Sequence, residues 1–362
     1  MHKILFIIDH LGCGGAERIT LQLSEYLAKH GHDVWLSVLN GKRNYYRCSD
    51  RLHYIDLQFC ENFAYGKMWR RKKLNPQEQQ RLDTLLSQSF DVIITGYNNG
   101  HWLSPYLKGN VWHWIHGDLL EVRAFKQPFK QMKEYVRFFK HKTKFAQLFH
   151  GKNLITVNRD LEEKAKTYTQ PHLVKTIANG VDIPSQYMHR SISASKKWDV
   201  IFVGRLVPIK QVDHALRAFA LCKTHGKMAI VGDGTEKNKL QQLAHELGIA
   251  NRVDFLGWVE DPYVLMQQSQ CLVMCSLYEG SPVTLAEAIS LDVPVVSYNS
   301  SLGIQDLLSQ HRCAFALVEK QNIVALSQAI TQCLNTPYHY DEEFKSKVHI
   351  DHMAQKILDL RT

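Results

Sequence analysis

Short, continuous apolar runs alternate with amphipathic stretches along this 362-residue chain. KILFII (3–8), VWLSVL (34–39), DVIIT (91–95), VWHWI (111–115) and NLITV (153–157) have the length and composition of buried strands. ERITLQLSEYLAKHG (17–31) has helical spacing instead. Ile19, Leu23, Tyr26 and Leu27 share a face, and Gly31 ends it. The same grammar returns in the second half. DVIFV (199–203), KMAIV (227–231), RVDFL (252–256), CLVMC (271–275) and VPVVSY (293–298) read as strands, and 214–226, 237–248 and 283–291 as helices. Strands that are apolar on both faces and separated by helices form parallel sheets covered on both sides.

A single core rarely grows past about 250–300 residues, so the chain divides. The polar stretch 179–199, with Pro184 and several serines, precedes a fresh strand and places a linker near 184–196. The expected architecture is α/β: two doubly wound, Rossmann-like parallel-sheet domains facing a central cleft. The expected boundaries are 1–184 and 185–345, with 346–362 a C-terminal helix crossing back to the first domain.

Composition narrows the partners. Apolar residues make up 45% and charged residues 22% of the chain, as in ordinary globular proteins. A formal charge of +9 favours a polyanion: nucleic acid, an anionic membrane surface or a phosphorylated substrate. No zinc finger, RNP-like sequence or basic zipper is present, which argues against a nucleic-acid partner. The eight cysteines form no CxxC pair, so reduced thiols and a cytoplasmic location are expected. MHKILFIIDHLG has Asp9 within its apolar run and does not read as a signal peptide, and no window reaches the ~18 apolar residues of a spanning helix.

Three strand-to-helix turns carry candidate chemistry. The first, IIDHLGCGGAERIT (7–20), places Gly12, Gly14 and Gly15 before a helix, where backbone can approach an anion. A tight structural turn explains it equally well. A dinucleotide site is disfavoured, because Glu17 stands where a third glycine belongs. The second, IFVGRLVPIKQ (201–211), sets Arg205 and Lys210 around a glycine turn. Two cations beside a helix start suit a diphosphate, and two solvated surface cations are the plainer alternative. The third is SLYEGSPVTLAEAISL (276–291). Glu279 lies in a loop, Ser281 reads as an N-cap with Pro282 at the first helical position, and Glu287 follows about 7–8 Å along the helix. Two carboxylates with free N–H groups between them can grip a polyhydroxylated, phosphorylated ligand. The alternative for Glu287 is a solvated charge, which its apolar neighbours TLAEAI disfavour.

Taken in order, GCGGAER, IANGVD (177–182), VGRLVPIKQ, IVGDGTEKNKL (230–240), VDFLGWVED (253–261) and EGSPVTLAE with its two glutamates resemble glycosyltransferase family 4, retaining enzymes of the GT-B fold. The resemblance implies an acceptor-binding first domain and a second domain that holds a nucleoside-diphosphate sugar, with UDP the default carrier. Arg205 and Lys210 would bind the diphosphate, Glu287 the ribose, and Glu279 the transferred sugar with the amides of Gly280, Ser281, Val283 and Thr284 around Pro282. Gly204 beside Arg205 would also border the donor, Val259 would lie near the base, and Gly14 and Gly15 would close over the donor. His116 corresponds to a histidine near the donor sugar, although HGD here departs from the usual acidic residue directly after it. His113 reads as a packed strand histidine. No cofactor and no metal are expected, since cations and helix N-termini neutralise the diphosphate. Catalytic roles fall to Arg205, Lys210, Glu279 and His116.

The remaining signal is a basic stretch, 121–149. Phe125, Phe129, Met132, Val136 and Phe139 recur at helical spacing beside Arg123, Lys126, Lys130, Lys133, Arg137, Lys140 and Lys144, with Pro128 a candidate start. KMWRRKK (67–73) adds a second cluster. Such a helix suits an anionic bilayer, and the alternative is an apolar face packed on the core. The expected enzyme is therefore cytoplasmic and peripheral on the inner face of the membrane. It would add one sugar to lipopolysaccharide, capsule or another lipid-linked glycan. Rival readings are a GT-B sugar-nucleotide epimerase and a non-catalytic nucleotide-sugar-binding subunit.

Overall fold

The computed structural model describes residues 1–12, 14–120, 122, 127–188, 196–309 and 313–361. The chain forms two compact units, one of Met1–Asn179 with Ile350–Thr362 and one of Gly180–His349. Part of the linker expected near 184–196 lies outside the described residues.

The first unit holds seven parallel strands: β1 (Lys3–Ile8), β2 (Asp33–Val38), β3 (His53–Asp56), β4 (Val92–Thr95), β5 (Val111–Ile115), β6 (Asn153–Thr156) and β7 (Leu173–Thr176). Their order is β3-β2-β1-β4-β5-β6-β7. Ile4 to Ile8 are all buried, because β1 is covered on both faces by helices and flanked by β2 and β4. The second unit repeats the plan with β8 (Trp198–Val203), β9 (Met228–Val231), β10 (Val253–Gly257), β11 (Ser269–Met274), β12 (Val295–Tyr298) and β13 (Leu317–Val318), ordered β10-β9-β8-β11-β12-β13. In each sheet the order reverses beside the first strand, between β1 and β4 and between β8 and β11. Open α/β sheets leave a crevice for ligands at the carboxyl ends of such a pair.

Local chemistry explains where the elements stop. The helix expected over 214–226 runs only from Val212 to Leu221. Beyond it Arg252 donates to the carbonyls of Gly226 (3.0 Å) and Thr224 (2.8 Å), which holds that segment as a loop. The segment Ile350–Leu358 is a helix packed against the helix Gly15–Lys29 of the first unit. Asn110 Nδ2 donates to the Leu360 carbonyl at 2.9 Å in the same region.

Candidate active site

The crevice of the second sheet is built from the turns after β8 and β11. Gly204 follows β8 at φ 155°, in the region that favours glycine. Its N–H donates to Val231 O (3.0 Å) and that of Leu206 to Asp233 O (2.9 Å). Gly232 makes this approach possible, since a Cβ there would fall 1.9 Å from Gly204 O. The Gly232-Asp233-Gly234 segment is thus the mould of the Arg205 turn. The sequence shows these glycines, but their role depends on which loop lies against them. Arg205 is exposed, and its guanidinium has no partner among the described residues.

Lys210 ends a short 3-10 turn, Pro208–Lys210, and Gln211 reverses the chain at φ 44°. Two bonds tie this turn to the segment after β11: Leu277 N–H donates to Ile209 O at 2.9 Å, and Cys275 Sγ to Gln211 O at 2.9 Å. Lys210 Nζ consequently meets Glu279 Oε1 at 2.5 Å, and Ser276 Oγ donates to the same oxygen at 2.5 Å. Lys210 and Glu279, two separate contacts in the sequence reading, form one ion pair in the structure.

The helix that follows spans Val283–Ser290, with Pro282 as its N-cap at φ −70°, ψ 116° and no side-chain cap. This corrects the expected cap at Ser281 and the placing of Pro282 at the first helical position. Without a side chain to receive them, the N–H groups of Val283 and Thr284 make no hydrogen bond among the described residues. Gly280 is buried, whereas Ser281 through Thr284 are half-buried. Glu287 is the fifth residue of the helix and only 3% exposed, which removes the solvated-charge reading. Val259 lies in the turn after β10, half-buried.

The other predicted residues belong to the first unit. Gly14 is the N-cap of the helix Gly15–Lys29, and a Cβ on it would lie 2.3 Å from Glu17 Oε2. The glycine lets the buried Glu17 carboxylate fold back over the helix start. His116 follows β5, its ring 4.3 Å from that of Trp114, and both of its nitrogens are buried without a protein partner. Burial drives its pKa down to about 3, so the ring is neutral at physiological pH. Asp118 of the HGD segment is taken by an ion pair with Lys164. His113 is packed, bonded to Thr95 Oγ1 at 2.6 Å and set against Phe149. The same Thr95 oxygen bonds His101 Nδ1 at 3.1 Å, a buried polar network with no warning in the sequence. Asp9, at the end of β1, accepts from Asn99 N (2.8 Å), Asn99 Nδ2 (2.9 Å) and Gly100 N (2.8 Å). Burial pushes its carboxyl up to about 7 against the pull of those donors. The described residues contain no group of three or more His, Cys, Asp or Glu that could hold a metal.

Residues 13–184 match the family model Glycosyltransferase Family 4, and residues 186–349 match Glycosyl transferases group 1. The chain belongs to the group 1 glycosyltransferases. It is an enzyme that transfers a sugar, and its two parallel-sheet units are those of the GT-B fold. The transferase is 25% identical over 386 residues to the alpha-1,4-N-acetyl-D-galactosaminyltransferase of Campylobacter jejuni named for GalNAc-alpha-(1->4)-GalNAc-alpha-(1->3)-diNAcBac-PP-undecaprenol, covering 99% of this chain and 94% of that one. A more local match, 31% over 153 residues, joins it to an uncharacterized glycosyltransferase of Methanocaldococcus jannaschii, with 41% of this chain and 37% of that one covered. Among solved structures, Anabaena Alr3699/HepE in complex with UDP and glucose superposes with a TM-score of 0.70 at 17% identity, covering 99% of each chain.

The basic surface of the transferase lies on its first unit. The long helix runs from Pro128 to Phe149. Arg123, Phe125 and Lys126 lie outside the described residues. Its C-terminal end is core, through Phe145, Leu148 and Phe149. Ahead of that end it exposes the apolar stripe: Phe129 by 70%, Met132 by 64% and Phe139 by 60%. Lys130, Lys133 and Lys140 are exposed among them. The 67–73 segment is latched to this helix. Trp69 stacks on His141 at 5.0 Å, and Lys144 Nζ donates to Trp69 O at 2.6 Å. One of its five cations turns inward, with Lys72 Nζ bonding Asn62 O at 3.0 Å and Phe63 O at 2.5 Å.

Proposed function

We propose that this transferase moves a sugar from a UDP-sugar to a lipid-linked saccharide, of the lipopolysaccharide or capsule kind, with retention of the donor's anomeric configuration and without a metal. The observation that carries the donor half is the rim after β8 and β11. Those turns carry an unpartnered Arg205 and the Lys210–Glu279 pair, and the helix that follows opens with two unbonded amides. A diphosphate supplies the acceptors this set lacks. Arg205 binds it bidentately, and Lys210 moves part of its charge from Glu279 to the leaving phosphate. Glu279, so released, takes hydroxyls of the transferred sugar, and Glu287 takes the ribose. Val259 borders the base.

Departure of the nucleoside diphosphate builds negative charge on its phosphate, which the two cations and the amides of Val283 and Thr284 stabilise. The acceptor hydroxyl attacks from the same face and passes its proton to that phosphate. Positioning and charge stabilisation do the catalysis, with no covalent sugar–enzyme intermediate. His116, held neutral by burial, offers a hydrogen bond to the donor sugar rather than a charge.

The acceptor half rests on the lipid-linked substrate named for the Campylobacter relative and on the exposed stripe of the basic helix. Phe129, Met132 and Phe139 enter the interface while the lysines meet anionic headgroups, which holds the enzyme peripherally on the cytoplasmic face. The test is a thermal-shift panel of nucleotides and nucleotide sugars with EDTA present. UDP and one UDP-sugar should raise the unfolding midpoint. A shift seen only with another base, or only with added divalent metal, would overturn the donor assignment.

A further inference from the structure

Beside His116, the crevice of the first sheet carries a second group of side chains with no role assigned above, and their chemistry is of another kind. β1 ends at Ile8 and β4 at Thr95, the two strands that flank the order reversal. His10 stands after one and Tyr97 after the other, with ring centroids 5.4 Å apart, edge to face. The His10 ring also lies 5.5 Å from that of Tyr65, tilted by 39°.

The proton on His10 is located by its neighbours. Nδ1 accepts the Gly12 N–H at 3.0 Å, so the neutral ring carries its hydrogen on Nε2. Gly12 leaves room for this arrangement, since a Cβ there would lie 2.8 Å from the imidazole. Nε2–H has no partner among the described residues and is not a buried atom. Tyr65 is fixed by its hydroxyl, which donates to Asn40 O at 2.6 Å, and the Arg43 guanidinium lies over its ring at 4.1 Å. Tyr97 has φ 64° and is the only aromatic among the described non-glycine residues at positive φ. A bulky residue in that conformation is strained, and such strain gathers at ligand sites.

We propose that His10, Tyr97 and the Arg43–Tyr65 pair form the subsite for the acceptor's terminal sugar. His10 Nε2–H donates to a hydroxyl that does not react, and the tyrosine rings border the apolar face of the pyranose. Aromatic surface beside a fixed neutral donor suits a polyhydroxylated ring, which has an apolar face and oxygen acceptors on its rim. Arg43 extends the site toward an anionic neighbour of that sugar. The inference rests on the transferase reading, and His10 is a binding residue here, not the base.

Saturation-transfer NMR on the full chain tests this, with methyl glycosides of glucose, galactose, N-acetylglucosamine and N-acetylgalactosamine at millimolar concentration. At least one glycoside should receive saturation. His10→Leu should weaken it about three- to tenfold, the size of one neutral hydrogen bond, and His10→Gln should retain most of it. Tyr97→Gly removes the ring while relaxing the backbone, so it should fold and still lose the signal. Arg205→Ala should not change it. Transfer to no glycoside, transfer that survives both His10→Leu and Tyr97→Gly, or displacement by UDP would each overturn the inference. The UDP thermal shift of the same samples reports separately whether the transferase reading stands.

Discussion

Glu279 and Lys210 show best how a residue's role depends on its partner. The 2.5 Å pair means that Lys210 is partly neutralised before donor arrives. Glu279→Gln should therefore bind UDP as tightly as the parent or more so, while turnover falls about a hundredfold because the sugar loses its carboxylate. Isothermal titration with UDP and a transfer assay would separate these, and loss of UDP binding would contradict the exchange of partners. Gly232 is a second case. A methyl 1.9 Å from a backbone oxygen displaces the Arg205 turn, so Gly232→Ala should lower stability by about 2–4 kcal/mol in urea unfolding and weaken UDP binding. The positions of Arg205, Lys210 and Glu279 in turns after strands were legible in the sequence, and Glu287 stood out as the polar residue of an apolar helix. The Lys210–Glu279 pairing, the bonds to Asp9 and the Thr95–His101–His113 network were not. Each joins residues far apart in the chain or hidden within apolar runs.

At the scale of elements, the central strands were legible and the marginal ones were not. β3, β7 and β13 are short edge strands. β3 and β7 carry exposed and half-buried residues rather than a continuous apolar run, so their pattern resembles a loop. The basic helix was read correctly in period but open in orientation. Periodicity shows that a stripe exists, not what covers it. The structure packs a different face, through Glu134, Phe145, Leu148 and Phe149, and leaves the stripe bare at Phe129, Met132 and Phe139. Phe129→Ser with Phe139→Ser should cut sedimentation with phosphatidylglycerol vesicles about tenfold or more and leave the unfolding midpoint unchanged. Equal sedimentation of parent and variant would remove this helix from the membrane contact.

The whole molecule adds a pH dependence. His101 is fully buried and its pKa is held down to about 3, by burial first, from an ordinary value of 6.5. Above pH 6.5 it is neutral folded or unfolded and stability does not depend on it. Between pH 6.5 and about 3 the unfolded chain takes up a proton that the native state refuses, so stability falls with pH, by up to about 1.4 kcal/mol per unit for this one group. His101→Asn keeps a bond to Thr95 without titrating. Its unfolding midpoint should fall less steeply than the parent's between pH 6.5 and 5, and an identical slope would contradict the assignment. The central claim remains the diphosphate site on the rim of the second sheet. Its most direct test is calorimetric titration of UDP into the parent and into the Arg205→Ala, Lys210→Ala double variant. The account predicts a loss of affinity of about a hundredfold or more in a variant that keeps its fold, and unchanged affinity would contradict it.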